Sequence, residues 1–183
     1  NDQIVLQVPA YDAFFNTIQA SNRKLLPNPL MYSAGTYTLD FEQLEKLLAD
    51  EKTKVLLLCN PHNPTGRVWD EQELKTIVEL CAKYHVNILS DDIHMDFAFT
   101  KKFIPITEIA IDLNHVFICT SASKTFNIPA LGGSYALIPN DSVREKFLSI
   151  LKLRDGLSSA SIFGMLSIIE GYNQAHDWVD QLK

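Results

Sequence analysis

Short runs of β-branched and aliphatic residues recur along the chain, and they predict buried β-strands. Four of these runs cover residues 4–8, 55–58, 86–89 and 116–119, and a fifth covers 134–138. Each run is nearly continuous rather than alternating, which is typical of strands that are covered on both faces by other elements.

Helical patterns fill the stretches between these strands. Asp40 with Gln43, and Asp70 with Glu73, each have the spacing of a capping box at the start of a helix. After Asp70, apolar residues repeat at helical spacing and predict one buried stripe. The sequence therefore predicts that a helix begins at each of the two aspartates.

Two further helical patterns lie toward the end of the chain, over residues 142–151 and 161–172. The second pattern runs on to residue 183 without a stop signal, and the chain begins directly ahead of a strand. We therefore expect this sequence to be a segment of a longer enzyme. The alternation of strands and helices predicts an α/β fold, a three-layer domain with a mainly parallel sheet.

Composition narrows the function classes. The chain has 183 residues, 46% of them hydrophobic, and a net charge of −6, which argues against nucleic acid or an anionic membrane surface as a partner. No apolar run is long enough to span a membrane. Three widely spaced cysteines, Cys59, Cys81 and Cys119, are expected to be buried thiols in a reducing compartment, and we expect the cytoplasm.

Polar side chains cluster where the predicted parallel strands end. Ligands of open α/β sheets bind beyond the carboxyl ends of the strands. The loops at those ends cover residues 9–12, 60–66, 90–96 and 120–124. They place seven candidate residues on one rim: Tyr11, Asn63, Asp91, His94, Ser121, Ser123 and Lys124.

The tetrapeptide 121–124 follows a predicted buried strand and ends in a lysine. The hydroxyls of Ser121 and Ser123 suit a phosphate, and the Lys124 amine beside them would act as the nucleophile of a Schiff base. A lysine in a polar surface loop is the alternative, and Ser-x-x-Lys also marks other nucleophile sites.

Asp91 follows the third predicted strand and begins an acidic run. A carboxylate at this position suits a protonated pyridine nitrogen, and His94 would approach the phenolic oxygen of the same ring. Two alternatives remain open. The run 91–96 also resembles the ligand set of a hard metal ion, and Asp91 alone would serve as a helix N-cap.

Residues 60–66 read Asn-Pro-His-Asn-Pro-Thr-Gly, and their two X-Pro steps force an extended turn. This turn would project the Asn63 amide into the rim, whereas His62 is expected to face solvent. Tyr11 follows the first strand, where its ring would stack on a planar cofactor. A rigid turn without a ligand, and a tyrosine of the core or the sheet edge, are the alternatives.

In this order and at these spacings, the rim residues resemble the fold-type I pyridoxal-phosphate (PLP) enzymes of the class I/II aminotransferase family, over essentially the whole chain. The resemblance implies that Lys124 binds PLP as a Schiff base and that Asp91 meets the pyridine nitrogen. It also implies that Asn63 contacts the O3′ oxygen, that Tyr11 stacks on the ring, and that Ser121 holds the phosphate.

Four longer stretches resemble the MalY/PatB group of C–S β-lyases, and they cover residues 7–14, 90–96, 123–131 and 154–159. Ordinary aminotransferases usually carry a phosphate-binding arginine eight residues after the lysine, and that position is Gly132 in this chain. The departure favours the lyase group. It also predicts weaker phosphate binding unless other donors compensate.

The resemblance implies a PLP-dependent C–S β-lyase that converts cystathionine or similar cysteine thioethers to pyruvate, ammonia and a thiol, and it implies a homodimer. Residues 1–183 would be the central part of the PLP-binding large domain, without the N-terminal segment and the C-terminal small domain, so the isolated segment would be inactive. An aminotransferase, a regulatory or interaction protein on the same scaffold, and a metal-dependent enzyme are the alternatives.

Overall fold

A computed structural model describes residues 1–155 and 160–182, with the backbone alone for 153–155. Its strands are Gln3–Val8 (β1), Lys24–Pro29 (β2), Met31–Ser33 (β3), Thr36–Thr38 (β4), Thr53–Cys59 (β5), Asn87–Asp91 (β6), Val116–Thr120 (β7) and Tyr135–Leu137 (β8). Its α-helices are Asp12–Ala20 (α1), Phe41–Leu48 (α2), Glu71–Lys83 (α3), Ile106–Ile109 (α4), Asp141–Asp155 (α5), Ile162–Gln174 (α6) and His176–Gln181 (α7). Short 3-10 helices cover Met95–Phe97, Leu113–His115 and Pro129–Leu131.

Six strands form one sheet in the order β2-β1-β5-β6-β7-β8. Every neighbouring pair is parallel except β7 and β8, which are antiparallel. Strands β3 and β4 form a separate antiparallel hairpin. The predicted α/β fold with a mainly parallel sheet is confirmed.

Hydrophobic side chains cover the sheet on both faces. Val5, Leu56 and Leu58 belong to a large core on the face that carries α2, α3 and α4. Leu6 and Leu57 point the other way, into a smaller cluster with Ile18 of α1. Because neighbouring residues of a strand face opposite layers, a strand buried on both sides is hydrophobic throughout. This explains the continuous runs in the sequence and gives the three layers.

The helix starts follow the predicted caps. At Asp70 both bonds of the capping box form, since its carboxylate accepts from the Glu73 amide and the Glu73 carboxylate accepts from the Asp70 amide, each at 2.9 Å. At Asp40 only the first bond forms, from the Gln43 amide at 2.9 Å. A complete box satisfies two of the unpaired amides at a helix start, so α3 is the better anchored of the two helices.

Helices α1 and α4 and the hairpin of β3 and β4 were not predicted from the sequence, and two further elements also differ from the prediction. Strand β2 was not predicted, because Pro27 and Pro29 interrupt its pattern, and it lies at the edge of the sheet, where proline is tolerated. The predicted helical stretch over 161–183 is two helices, since the backbone of Ala175, at φ −111° and ψ 30°, leaves the helical conformation between α6 and α7.

Within the described ranges, no helix has both the length and the hydropathy needed to cross a membrane. Of the stretch 154–159 that carries part of the family resemblance, residues 156–159 lie outside the described residues.

Candidate functional site

The carboxyl ends of β1, β5, β6 and β7 meet along one edge of the sheet, where side chains enclose a cavity of about 110 Å³. Five of the seven rim residues line this cavity, together with three residues that were not predicted. The lining residues are Tyr11, Phe14, Cys59, Asn63, Asp91, Ile93, His94 and Lys124.

Asp91 is the last residue of β6 and lies between Cys59 of β5 and Cys119 of β7 in the strand register. Its Oδ1 accepts a hydrogen bond from the Ile93 amide at 3.1 Å. Burial raises the pKa of this carboxyl group, and the ion pairs of the described residues do not include it. A partly buried carboxylate without a paired cation is well suited to a ligand that brings a positive charge, such as a protonated ring nitrogen.

Lys124 lies in the tight turn that follows β7. The Phe126 amide donates to the Ala122 carbonyl at 3.0 Å, and the Ile128 amide donates to the Ser123 carbonyl at 2.9 Å. These bonds hold the backbone of the turn while the Lys124 side chain remains exposed at the cavity. The structure thus presents an amine and the Asp91 carboxylate to the same small space.

His94 lies three residues after Asp91 and borders the same cavity. Burial is the main cause that lowers the pKa of its imidazole, and the neighbouring Lys124 lowers it further, whereas the Asp91 carboxylate opposes the shift. A neutral imidazole both donates and accepts hydrogen bonds, which suits it to contact a polar substituent of an aromatic ring.

Asn63 projects from the proline-containing turn as predicted and lines the cavity. It also borders a second, more open cavity of about 250 Å³, which shares His94 with the first. The Gly66 amide donates to the His62 carbonyl at 2.7 Å, and the Trp69 amide donates to Asn60 Oδ1 at 3.2 Å. These bonds close the turn that carries Asn63.

His62 does not face solvent, so that expectation was wrong. Its side chain is 2% exposed, and its Nδ1 lies 2.9 Å from the Thr65 hydroxyl. The ring packs edge-on against Trp69, with centroids 5.6 Å apart, and burial lowers the pKa of the imidazole to about 4. The neutral ring is a structural support for the turn that carries Asn63. Only the packing of Trp69 over the turn reveals this, because the heptapeptide itself carries no sign of it.

The two serines lie apart from the cavity that holds Lys124. Ser121 is buried and its hydroxyl donates to the Gly133 carbonyl at 2.5 Å, while its Oγ accepts from the Ser123 amide at 3.1 Å. Ser123 borders the place where α6 packs on the Gly132–Gly133 segment. Their predicted contact with a phosphate stays a prediction.

The backbone at Gly132 is closely covered by α6. A Cβ atom added to Gly164 would lie 1.9 Å from the Gly132 carbonyl oxygen, and the Ser161 amide donates to the same oxygen at 3.1 Å. Gly132 itself has φ +61°, a left-handed conformation that favours glycine. Conformation therefore accounts for the glycine at position 132.

Sequence reasoning missed Phe14 and Cys59. Tyr11 is 47% exposed and its ring meets Phe14 edge-on at 5.6 Å, one turn away at the start of α1. Cys59 ends β5 beside Asp91, and burial raises the pKa of its thiol to about 12. The i, i+3 spacing of the two aromatic residues was the available signal for Phe14.

Cys119 is exposed, unlike Cys59 and Cys81, so the expectation that all three thiols are buried was wrong for this residue. It points to the face of β7 opposite Ile118. The described cluster on that face is built on β1, β5 and α1, and it does not extend to β7.

The acidic run 91–96 is not arranged as a metal site. Asp92 accepts from the Ser90 hydroxyl at 2.5 Å, and Asp96 accepts from two hydroxyls on other segments. Among the residues that the structure describes, no three His, Cys, Asp or Glu side chains form a candidate metal-binding group.

Comparison with known proteins agrees with this geometry. The family model described as aminotransferase class I and II matches residues 1–179. Protein MalY of Escherichia coli (strain K12) is 41% identical over 181 residues, covering 98% of this chain and 46% of that protein. Cystathionine beta-lyase PatB of Bacillus subtilis (strain 168) is 37% identical over 183 residues, covering 99% and 47%.

Among solved structures, cystalysin from Treponema denticola, which contains a pyridoxal 5′-phosphate cofactor, superimposes with a TM-score of 0.93 at 33% identity. That match covers 99% of this chain and 46% of cystalysin. The PLP-bound C–S lyase from Staphylococcus hominis gives 0.90 at 27% identity and covers 98% and 45%. The chain spans about half the length of the relatives it matches. With its sheet order, its rim residues and a family match over nearly its whole length, the chain belongs to the aminotransferase class I and II family.

Proposed function

We propose that the whole protein is a PLP-dependent C–S β-lyase that cleaves cysteine thioethers such as cystathionine. The observation that carries the proposal is the cavity of about 110 Å³ in which the Lys124 amine, the Asp91 carboxylate and the Asn63 amide share one space. The similarity to MalY, PatB and cystalysin supports PLP as the cofactor and the elimination reaction as the chemistry.

Each side chain would have a distinct task. Lys124 would hold PLP through its Nζ and, once freed by the amine of the substrate, would accept the α-proton at the same atom. Asp91 would keep a proton on the ring nitrogen, because its carboxylate is partly buried and needs a cationic partner. Bound PLP would supply the electron sink that the α-carbon needs.

The remaining cavity residues would orient the ring. The Asn63 amide would donate to the ring oxygen, and His94 would lie near it as a neutral imidazole. Tyr11 would stack on the ring by turning from its present edge-on contact with Phe14. Ser121 and Ser123 are proposed for the phosphate only, where the Gly132 position provides no cation.

Borohydride reduction of the PLP-loaded whole protein tests the proposal directly. The expected result is one pyridoxyl label, which peptide mass spectrometry places on Lys124 rather than on the exposed Lys101 or Lys102. Absence of the label from Lys124 would contradict the assignment of the cavity as the cofactor site.

An aminotransferase is the second candidate. A probable kynurenine–oxoglutarate transaminase of Saccharomyces cerevisiae is 30% identical over 135 residues, so a protein named for amino transfer is also similar to this chain. Release of pyruvate from L-cystathionine without any added keto acid would support the lyase. Strict dependence of turnover on a keto acid acceptor would establish the aminotransferase instead.

We further propose that the whole protein is a cytoplasmic homodimer. Exposed apolar side chains on α6, such as Ile162 at 71% and Phe163 at 73%, support the need for a covering surface. Free thiols support a reducing compartment. Light scattering of the whole protein tests the dimer, and fractionation of the cells that express it tests the compartment.

A further inference from the structure

The carboxylate of Asp96 ties together three segments of the chain that are distant in sequence. The Thr125 hydroxyl donates to Asp96 Oδ2 at 2.7 Å, and the Tyr172 hydroxyl donates to the same oxygen at 2.9 Å. Asp96 lies in the loop after β6, Thr125 in the turn after β7, and Tyr172 on α6. Thr125 is only 1% exposed, and it directly follows Lys124.

Further contacts hold the same turn from the other side. Trp178 of α7 donates its indole N–H to the Thr125 carbonyl at 3.0 Å. The Phe126 ring meets Tyr172 edge-on at 5.2 Å, and a Cβ atom added to Gly171 would lie 2.6 Å from that ring. The two residues after Lys124 are therefore fixed by side chains of α6 and α7, whereas the Lys124 side chain itself is exposed at the cavity.

Both bonds lie within the usual range for hydrogen bonds between oxygen atoms, at 2.7 and 2.9 Å. Burial, together with the bond to Asp96, raises the pKa of the Tyr172 hydroxyl, so this group remains a donor. One carboxylate oxygen thus receives two donors from two different elements.

Asp96 is also close to Asp91 in the sequence. Asp91 ends β6, and Asp96 lies in the 3-10 helix Met95–Phe97 of the loop that follows. Asp91 faces the cavity, and Asp96 binds the residue after Lys124. The loop that follows Asp91 is therefore bonded to the turn that carries Lys124, and α6 supports this contact through Tyr172.

We propose that Asp96 is a positioning residue, which acts through Thr125 and Tyr172 to hold the Lys124 turn opposite Asp91. This inference rests on the proposed function, because it assigns Lys124 to the reaction. It adds a second carboxylate to the site, one that touches neither cofactor nor substrate.

The test measures kcat and KM of the PLP-loaded whole protein and, after PLP has been removed from the same protein, the rate at which added PLP forms its imine on Lys124. Thr125→Val and Asp96→Asn should each lower kcat and the imine rate about 10- to 100-fold, because small displacements of a reacting group have effects of that size. KM should change less than about threefold, since the lining of the cavity is intact. Thr125→Ser keeps the hydroxyl and should restore both rates to within about threefold of the unmodified protein.

A matched pair of tyrosines separates positioning from stability. The Tyr84 hydroxyl donates to Glu45 Oε1 at 2.9 Å, the same length as the bond from Tyr172 to Asp96, but it lies at the end of α3 away from the cavity. Tyr84→Phe and Tyr172→Phe should lower the midpoint of thermal unfolding by similar amounts. Only Tyr172→Phe should lower kcat, by about 3- to 10-fold.

Three outcomes would overturn the inference. If Lys124 of the unmodified protein takes no pyridoxyl label, the proposed function fails and this inference fails with it. If Lys124 is labelled but Thr125→Val and Asp96→Asn keep full kcat and imine rate, the positioning role fails and the proposed function stands. If Tyr84→Phe lowers kcat as much as Tyr172→Phe does, the network serves stability alone.

Discussion

The two ends of the parallel strands carry cavities of opposite character. At the amino ends of β6 and β7, α3 and the segment that follows α4 help to enclose about 300 Å³ that is lined mostly by apolar side chains, among them Val78, Cys81, Val86, Ile88 and Val116. At the carboxyl ends, about 110 Å³ brings together Asp91, Lys124, Asn63 and His94. The larger cavity is therefore mainly apolar, whereas the smaller cavity holds an amine, a carboxylate, an amide and an imidazole.

In this chain the candidate site lies in the smaller of these two cavities, so cavity volume does not identify it. The polar residues that line the cavity at the amino ends, Glu79, His85, Asp112 and His115, are all exposed. At the carboxyl ends the chain leaves each strand through a loop, and parallel strands bring those loops together. Strand direction therefore decides where functional side chains meet.

We expect the largest effect from a variant that loses the Lys124 amine at the carboxyl ends of the strands. Lys124→Arg keeps the charge but cannot form a Schiff base, so turnover should fall on the order of 10³-fold or more and the imine absorbance band should disappear. Lys83→Arg is the control, since Lys83 lies on α3 and pairs with Glu45 at 2.7 Å, outside the cavity. A normal imine band in Lys124→Arg would show that Lys124 does not bind PLP, and the two cavities could then no longer be distinguished by this residue.

The next effect concerns the buried carboxylate. Asp91→Asn leaves the ring nitrogen without an ionised partner, and kcat should fall on the order of 10²-fold, or about 3 kcal/mol of activation free energy. Asp112→Asn at the amino-end cavity is the matched control and should keep kcat unchanged, because that carboxylate contacts Asn114 and His115, at the opposite end of the strands. Equal losses in the two variants would show that the cavities do not differ in function.

Burial of ionisable side chains near the carboxyl ends of the strands should make the stability of the protein depend on pH. Burial raises the pKa of Asp92 to about 6, above its unfolded value of 3.8, so the carboxyl contributes more stability as pH falls through that window. Burial lowers the pKa of His62 to about 4, below its unfolded value of 6.5, so stability is lost as pH falls. Between pH 6 and 4 these two contributions oppose each other.

Replacing either side chain should reveal the pH dependence of stability that the other contributes. We expect the unfolding free energy of Asp92→Asn to fall, relative to the unmodified protein, by about 2–3 kcal/mol between pH 7 and pH 4. His62→Asn should shift by a similar amount in the opposite direction. Urea titrations at several pH values measure both slopes, and parallel curves for all three proteins would contradict the assigned burial effects.

The smallest effect belongs to the amino-end cavity. Cys81→Ala enlarges it by removing a sulfur that is 2% exposed, and the free energy of unfolding should fall by about 1 kcal/mol. The imine band and kcat should not change, because the sulfur lies at the opposite end of the strands. A change in the imine band would show that the two cavities are coupled through the sheet.

Much of the fold could be predicted from hydrophobic pattern alone. The five predicted strands all lie in the sheet, because continuous apolar runs such as that of β5 are required wherever both faces are covered. The capping box at Asp70 marked the start of α3 within one residue. Strand β2 escaped prediction because edge strands do not need an apolar pattern, and two prolines obscured it.

The site was predictable to the same extent and for a related reason. Parallel strands end on one side, so the position of a residue after a strand indicates its place on the rim, and this brought Asn63, Asp91 and Lys124 together. The burial of His62 and the exposure of Cys119 were not predictable in this way. They depend on what packs over each residue, and that cover comes from segments elsewhere in the chain.

By itself, the sequence determined the class of fold, the strand ends, and the residues that reach the cavity, because periodicity and strand direction are local properties of the chain. Only the tertiary structure showed that Ser121 bonds to Gly133, that Gly164 lies against Gly132, and that Asp96 holds the turn after Lys124. These contacts join residues that are between 12 and 32 positions apart, counting from 121 to 133, from 132 to 164 and from 96 to 125. Contacts over such separations depend on how helices and loops pack in three dimensions, and no local pattern encodes them.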